Sequence, residues 1–188
     1  MHTLEPYYNW QHIYVSEEDA RSPFYGKVYS EFEFSQTIYN YYIHPQWDEF
    51  GSRTLYCKVL LSDYEERYAI IELMGEWNDA LENDIMLLKR GVLERFADES
   101  VDKFILIAEN VLNFHSDGAD YYEELSQELQ ESGGWAVCLN MPMQSENEFK
   151  QAGHHRFIEL FNIPEWRSYR PFHLLRKVES LLGPRLLR

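Results

Sequence analysis

The sequence predicts an α/β fold: a mixed, mostly parallel sheet with helices packed on it. Three observations predict it. From Thr54 onward, runs rich in β-branched and aromatic residues take turns with runs of helical period. One strand-like run, "DKFILIAENVLNF" (102–114), is continuously apolar where it starts, as a strand covered on both faces must be. The order from residue 54, strand, strand, helix, strand, helix, strand, helix, implies right-handed crossovers and a largely parallel sheet that the front hairpin makes mixed.

The first 27 residues hold no sustained period; aromatics (Tyr7, Tyr8, Trp10, Tyr14) are mixed with an acidic stretch, which predicts irregular structure or a short helix packed down by its rings. "VYSEFEF" (28–34) alternates with period two and reads as a strand, and "QTIYNYYIHPQW" (36–47) as a second one interrupted at Pro45. "TLYCKVLLSD" and "RYAIIELMGEW" form a hairpin across "SDYEE". A helix follows, with Asp79 as N-cap and Ala80, Asp84, Leu87, Leu88, Val92, Leu93 and Phe96 at helical spacing; Gly91 weakens it by ~1 kcal/mol relative to Ala. After the strand at 102–114, "YYEELSQELQES" is a helix stopped by Gly133 and Gly134, and "WAVCLNMP" is a buried strand. "SENEFKQAGHHRFIELF" reads as a helix with Ser145 and Glu148 in capping-box spacing. "RPFHLLRKVESLL" is an amphipathic helix with Phe172, Leu175, Val178 and Leu182 on one face. The expected organisation is an aromatic-rich N-terminal β extension (1–53) packed on the core, an α/β domain (54–163) and a basic C-terminal helix or tail (164–188).

Apolar residues make up 45% of the 188, enough for a full core, and the net charge is −15. A polyanion repels other polyanions, so neither nucleic acid nor an anionic membrane is expected as a partner. The aromatic share of 16% suits a protein partner or a homo-oligomer. Residues 164–188 carry six Lys or Arg against two Glu; they fold back on the acidic body, pair with a neighbouring subunit, or are plain solvated surface. Cys57 and Cys138 sit in strand-like apolar runs and read as buried thiols. No secretory leader pattern and no membrane-length apolar run is present, so the expectation is a soluble, cytoplasmic chain.

Several strings resemble the STAS domain of bacterial anti-sigma-factor antagonists. "IIELMGEWND" (70–79) is similar to that family's strand ending in a "GELD"-like turn. "FILIAENVLNFHSDGADYYEEL" (104–125) keeps Val111, Phe114, Ser116 and Gly118 in step with its "V-x-F-x-D-S-S-G-L" strand and loop, and "ESGGWAVCLNMP" resembles its next turn and strand. The resemblance covers about residues 54–160. It implies a STAS-like fold acting by protein–protein interaction in a bacterial setting, without cofactor. It also implies that Ser116 occupies the place of the serine that a cognate kinase phosphorylates. This chain departs from the pattern at His115, Asp117 and Ala119, where the family has Asp, Ser and Leu.

Three readings of the loop His115, Ser116, Asp117 to Asp120 are open. Ser116 or Asp117 caps the following helix, with Asp120, Glu123 and Glu124 complementing its dipole. Phosphorylation of Ser116 adds about −1.5 to −2 charge, which that acidic first turn opposes. Alternatively His115, Asp117 and Asp120 bind a small ligand or support metal-assisted hydrolysis. No metal site and no catalytic residue is assigned. His154 and His155 point about 100° apart on a helix and read as one half-buried and one surface residue, not a metal pair. "YNYYIHPQWDEF" (39–50) either lines a pocket or packs aromatics over the sheet, the second being preferred. Nucleotide-loop, nucleophile-elbow and H-E-x-x-H motifs are absent, which favours a non-enzymatic role.

Overall fold

The computed structural model describes residues 4–183. The expected hairpin forms as β3 (Leu55–Asp63) and β4 (Tyr68–Asn78), following a two-residue pair, β1 (Thr37–Ile38) and β2 (Tyr41–Tyr42). β5 (Lys103–His115), β6 (Trp135–Leu139) and β7 (Glu159–Phe161) complete a five-stranded sheet in the order β3-β4-β5-β6-β7. β3 is antiparallel to β4 and every later pair is parallel. Each crossover advances one place in the same direction. With a common hand, that places the intervening helices on one face of the sheet.

That face holds α1 (Asp79–Glu82), α2 (Asp84–Leu88), α3 (Glu94–Ala97), α4 (Asp120–Glu131) and α5 (Met143–Gln151), whose Ile85, Leu88, Phe96, Tyr122, Leu125, Leu129 and Phe149 bury against Ile71, Leu73, Phe104 and Leu106. The opposite face carries Ile70, Ile105, Ile107 and Val137. It is covered by Trp10, by Trp166 and by α6 (Pro171–Leu182) through Leu174, Leu175, Val178 and Leu182. β5 is therefore buried on both faces, as its continuous apolar run requires.

Several expectations are corrected. Residues 28–34 form no strand: the Ser30 hydroxyl accepts from the Phe32 and Glu33 amides, a local turn that competes with strand pairing, and Val28 and Phe32 are 95% and 88% exposed. The N-terminal extension is thus β only at β1 and β2. The helix after β4 is broken, since Asn83 turns left-handed and Lys89–Leu93 winds as a π-helix. Asn78, not Asp79, is its N-cap, accepting the Leu81 amide. α5 starts at Met143, so no capping box forms; Ser145 is buried and donates to the Val111 carbonyl. The stretch expected to continue that helix instead turns through His154–Arg156 and becomes the edge strand β7. In α6, Leu174 takes the inward place expected of Phe172, which is 42% exposed.

The N-terminal segment is tied down at polar points. Asp48 bridges Cys57 of β3; Lys58 Nζ lies 2.8 Å from Glu17 and 3.7 Å from Asp48; and the Trp47 indole donates to the Leu4 carbonyl. Trp47 and Ile43 bury with Ile38, Tyr56 and Met74, so part of 39–50 packs inward as preferred, whereas Tyr39, Tyr41 and Tyr42 are exposed and Tyr39 and Glu49 line a cavity. Of the basic C-terminal residues, Arg167 pairs with Glu109 and Arg176 with Glu66 and Glu179, so this part folds back on the acidic body; Arg185 and Arg188 lie outside the described residues. Cys57 and Cys138 are buried free thiols, and burial pushes Cys138 up to about 12. Among the described residues no helix is long and apolar enough to cross a membrane.

Two sites generate predictions. Gly75, at φ +122, lets β4 pass so close to β3 that an added Cβ would lie 2.0 Å from the Thr54 carbonyl oxygen. Gly75→Ala is expected to lower unfolding free energy by about 3 kcal/mol or more, read by urea denaturation. Glu72 is buried on the α6 face, where its carboxylate accepts from the Tyr7 amide at 2.8 Å and from Asn110 at 3.3 Å. Burial raises its pKa from 4.5 to about 7, and Glu109 adds to the rise. The folded state then holds the proton more tightly than the unfolded chain does, so this group destabilises the fold as pH rises from about 4.5 to 7. Glu72→Gln is expected to flatten that slope and to gain on the order of 2 kcal/mol at pH 8.

Candidate functional site

β5 ends at His115 on the carboxyl edge of the parallel strands, and α4 begins at Asp120. Four consecutive residues between core strand and helix, His115 to Gly118, are exposed. Neither Ser116 nor Asp117 caps α4. Its N-cap is Ala119, with no side-chain hydrogen bond, and the Ser116 hydroxyl turns the other way.

Beneath the loop, Ser116 Oγ lies 3.0 Å from His154 Nε2 and 3.0 Å from the Asp117 carbonyl oxygen. Serine has a single hydroxyl proton. The carbonyl only accepts, so that proton goes to Asp117, and we assign His154 as the Nε2–H tautomer donating to Ser116. This leaves Nδ1, which has no partner, as a bare lone pair rather than an unsatisfied donor. His154 is 1% exposed and stacks on Tyr122 at 4.0 Å and 14°, with Phe114 and Phe149 edge-on. Burial, followed by the Arg156 and His155 charges, lowers its pKa to about 4, so it is neutral at physiological pH.

Tyr122 continues the chain of contacts. Its hydroxyl donates to Asp79 Oδ2 at 2.5 Å, while Asp79 Oδ1 accepts the Trp77 indole at 3.0 Å and the Ile85 amide at 2.8 Å. Burial raises the pKa of Asp79, against the pull of these three donors, and burial with the Asp79 charge pushes Tyr122 well above its ordinary value. Asp84 accepts the Asn78 amide at 2.7 Å and is raised to about 6, chiefly by burial. The buried groups under the loop therefore form a hydrogen-bonded, charge-poor platform of rings.

The chemistry this allows is specific. A serine that receives a hydrogen bond from its histidine is not being deprotonated by it, and the neutral, acid-shifted imidazole is a weak base. His115, Asp117 and Asp120 do not converge: among the described residues no group of three His, Cys, Asp or Glu is placed to hold a metal ion. Sequence reasoning found the loop but missed His154, 38 residues away, as its anchor, and missed Asp79 as the buried acceptor. The only local signal was the expectation that one of His154 and His155 is half-buried; the structure buries His154 fully.

A hairpin feeding one-sided β–α crossovers, with helices on one sheet face and the serine-bearing loop at the end of the middle strand, makes this a STAS-like α/β fold. Solved structures similar to it include the anti-sigma factor antagonist SpoIIAA in its unphosphorylated form, at 14% identity over 66% of this chain and 96% of that one, with a TM-score of 0.48. The Bacillus cell fate determinant SpoIIAA in its phosphorylated form is similar at 14% identity over 65% and 98%, TM-score 0.43. A candidate anti-sigma factor antagonist from Thermotoga maritima is similar at 18% identity over 56% and 86%, TM-score 0.43. No protein-family model and no curated protein matches the sequence.

The folded His154 stays neutral below the pH at which the unfolded residue protonates. Its contribution is therefore full above about 6.5 and is lost as pH falls through about 4. His154→Phe, which keeps a ring on Tyr122, is expected to remove on the order of 1–2 kcal/mol of acid destabilisation over that window. It should also speed amide exchange at residues 116–119, because the Ser116 anchor is gone.

Proposed function

We propose that this protein acts without catalysis, by protein–protein contact through the exposed loop from His115 to Asp120. The observation that carries the reading is the fastening of that loop from below. Ser116 is held by a buried, neutral His154 that itself lies flat on Tyr122. A loop that is exposed yet fastened through one of its side chains to a rigid platform loses less entropy on docking than a free one. The hydrogen-bond direction at Ser116 supports a recognition element over a nucleophile. The reading places the chain in a bacterial cytoplasm, as the family resemblance implies, with a protein partner or a second copy of itself as the bound species.

Phosphate at Ser116 does not fit this site. It would remove the hydroxyl proton that Ser116 gives to the Asp117 carbonyl and add charge beside Asp117, Asp120 and Glu123. Native mass spectrometry and pull-down with the full chain test the proposal. The wild type is expected to hold a partner or to self-associate, and His115→Ala with Asp117→Ala to lose the complex with the fold intact. Ser116→Asp is expected to leave binding in place and to change stability by less than about 1 kcal/mol, because a carboxylate there still accepts from His154. Absence of any complex overturns the proposal, and loss of binding in Ser116→Asp alone would make Ser116 a switch.

A further inference from the structure

The N-terminal segment lies across a polar interruption in the second face of the sheet. Glu72 of β4 is buried there, and its two carboxylate oxygens accept from the Tyr7 amide at 2.8 Å and from Asn110 Nδ2 at 3.3 Å. Among the described residues no cation stands within ion-pair reach of it. Lys58, its register partner on β3, is drawn away to Glu17 at 2.8 Å and Asp48 at 3.7 Å. Ile107, its register partner on β5, is apolar, and Glu109 farther along β5 repels it. Arg167, on the stretch before α6, is engaged by that same Glu109. A carboxyl group so placed sits easily when neutral and at a cost when charged.

The segment above it is self-contained. Its backbone bonds run from Gln11 to Tyr8 and from Ile13 and Tyr14 to Trp10. It is fastened at both ends: the Leu4 carbonyl accepts the Trp47 indole at 2.9 Å, Glu5 lies 3.5 Å from His44, and Glu17 holds Lys58. Between those ends, among the described residues, two hydrogen bonds join residues 7–13 to the rest of the fold. They are the Tyr7 amide on Glu72 and the Tyr7 hydroxyl on the Arg167 carbonyl. The remaining hold is the edge-on packing of Tyr7 and Trp10 against Trp166.

We infer that Glu72 is a proton-controlled latch on this strap: residues 7–13 stay seated while it carries its proton, and lift more often once it is charged. Lifting lets water reach the carboxylate and uncovers the Trp166 ring, which is buried in the seated form. Burial raises the Glu72 carboxyl from 4.5 to about 7; Glu109 adds to the rise, while the Tyr7 amide, Arg167 and Asn110 oppose it. Seating therefore takes up a proton. It is fully favoured below about pH 4.5 and weakens as pH rises to about 7. The inference is independent of the loop at 115–120 and of the protein contact proposed for it.

The test is amide hydrogen exchange of the full chain between about pH 5 and pH 7.5. Rates corrected for each amide's intrinsic pH dependence give opening constants for residues 7–13, and the amides of Ile105, Leu106 and Ile107 in β5 report opening of the whole fold. The opening constant of residues 7–13 is expected to rise at least about tenfold over that range, with a smaller change in β5. In Glu72→Gln the rise is expected to vanish, because a carboxamide oxygen still accepts from the Tyr7 amide and never charges. His12 and His44 are kept in that variant, so any pH response of their own remains in it. Glu109→Gln removes the repelling charge without touching the latch and is expected to give a smaller rise than the wild type. An opening constant for residues 7–13 that does not change with pH overturns the inference. So does an undiminished rise in Glu72→Gln, or a rise of equal size at residues 105–107.

Discussion

The structure depends on one buried carboxylate. Asp79 follows the last residue of β4 and takes three hydrogen bonds, from Trp77 before it, from the amide of Ile85 at the start of α2, and from Tyr122 of α4. A buried carboxylate without donors costs several kcal/mol, so these three partners must stay in place together. That requirement fixes where the broken helix leaves the sheet and where α4 lies against it. Tyr122 in turn sets the plane on which His154 lies, and His154 sets the position of Ser116. The exposed loop is therefore the far end of a chain of contacts that begins at a side chain with no access to water.

Two titrating groups on opposite faces of the sheet act in opposite directions. Glu72, beneath the N-terminal segment, favours the fold as it takes up a proton; His154, beneath the loop, favours it only while it stays neutral. Their windows overlap between about pH 4.5 and 6.5. In the intact protein the two slopes partly cancel. Asp84, which burial raises to about 6, acts in the same direction as Glu72, so the slope there is the sum of these three buried groups, with His154 opposing the two carboxylates.

The core was legible because its signals are local. The continuous run of β5, the Gly133–Gly134 stop after α4 and the hairpin across 62–66 each carry their own pattern within a few residues. What was not legible came from competition or from distance. At 28–34 the strand period is present, but Ser30 offers the backbone a turn and no neighbouring strand outbids it. β7 is three residues long, and the break before it rests on Gly153, left-handed at φ +83, a single glycine that helical period reads through. At the candidate site the loop and its serine stood out by composition. Whether Ser116 caps a helix or meets a histidine is decided by His154, which reaches it only once β5, α4 and α5 have packed.

The cover on the second sheet face is assembled from segments far apart in sequence, residues 7–14 and 163–182. Tyr7 and Trp10 meet Trp166 edge-on, and the Tyr7 hydroxyl donates to the Arg167 carbonyl across 160 residues of sequence. During synthesis the N-terminal segment thus leaves the ribosome long before the residues it must touch exist. The helix-covered face can close as its parts emerge, whereas Ile70, Ile105 and Ile107 wait with their outer surface bare until α6 arrives. In that order of manufacture, α6 is the element that takes this greasy face away from chaperones and other nascent chains.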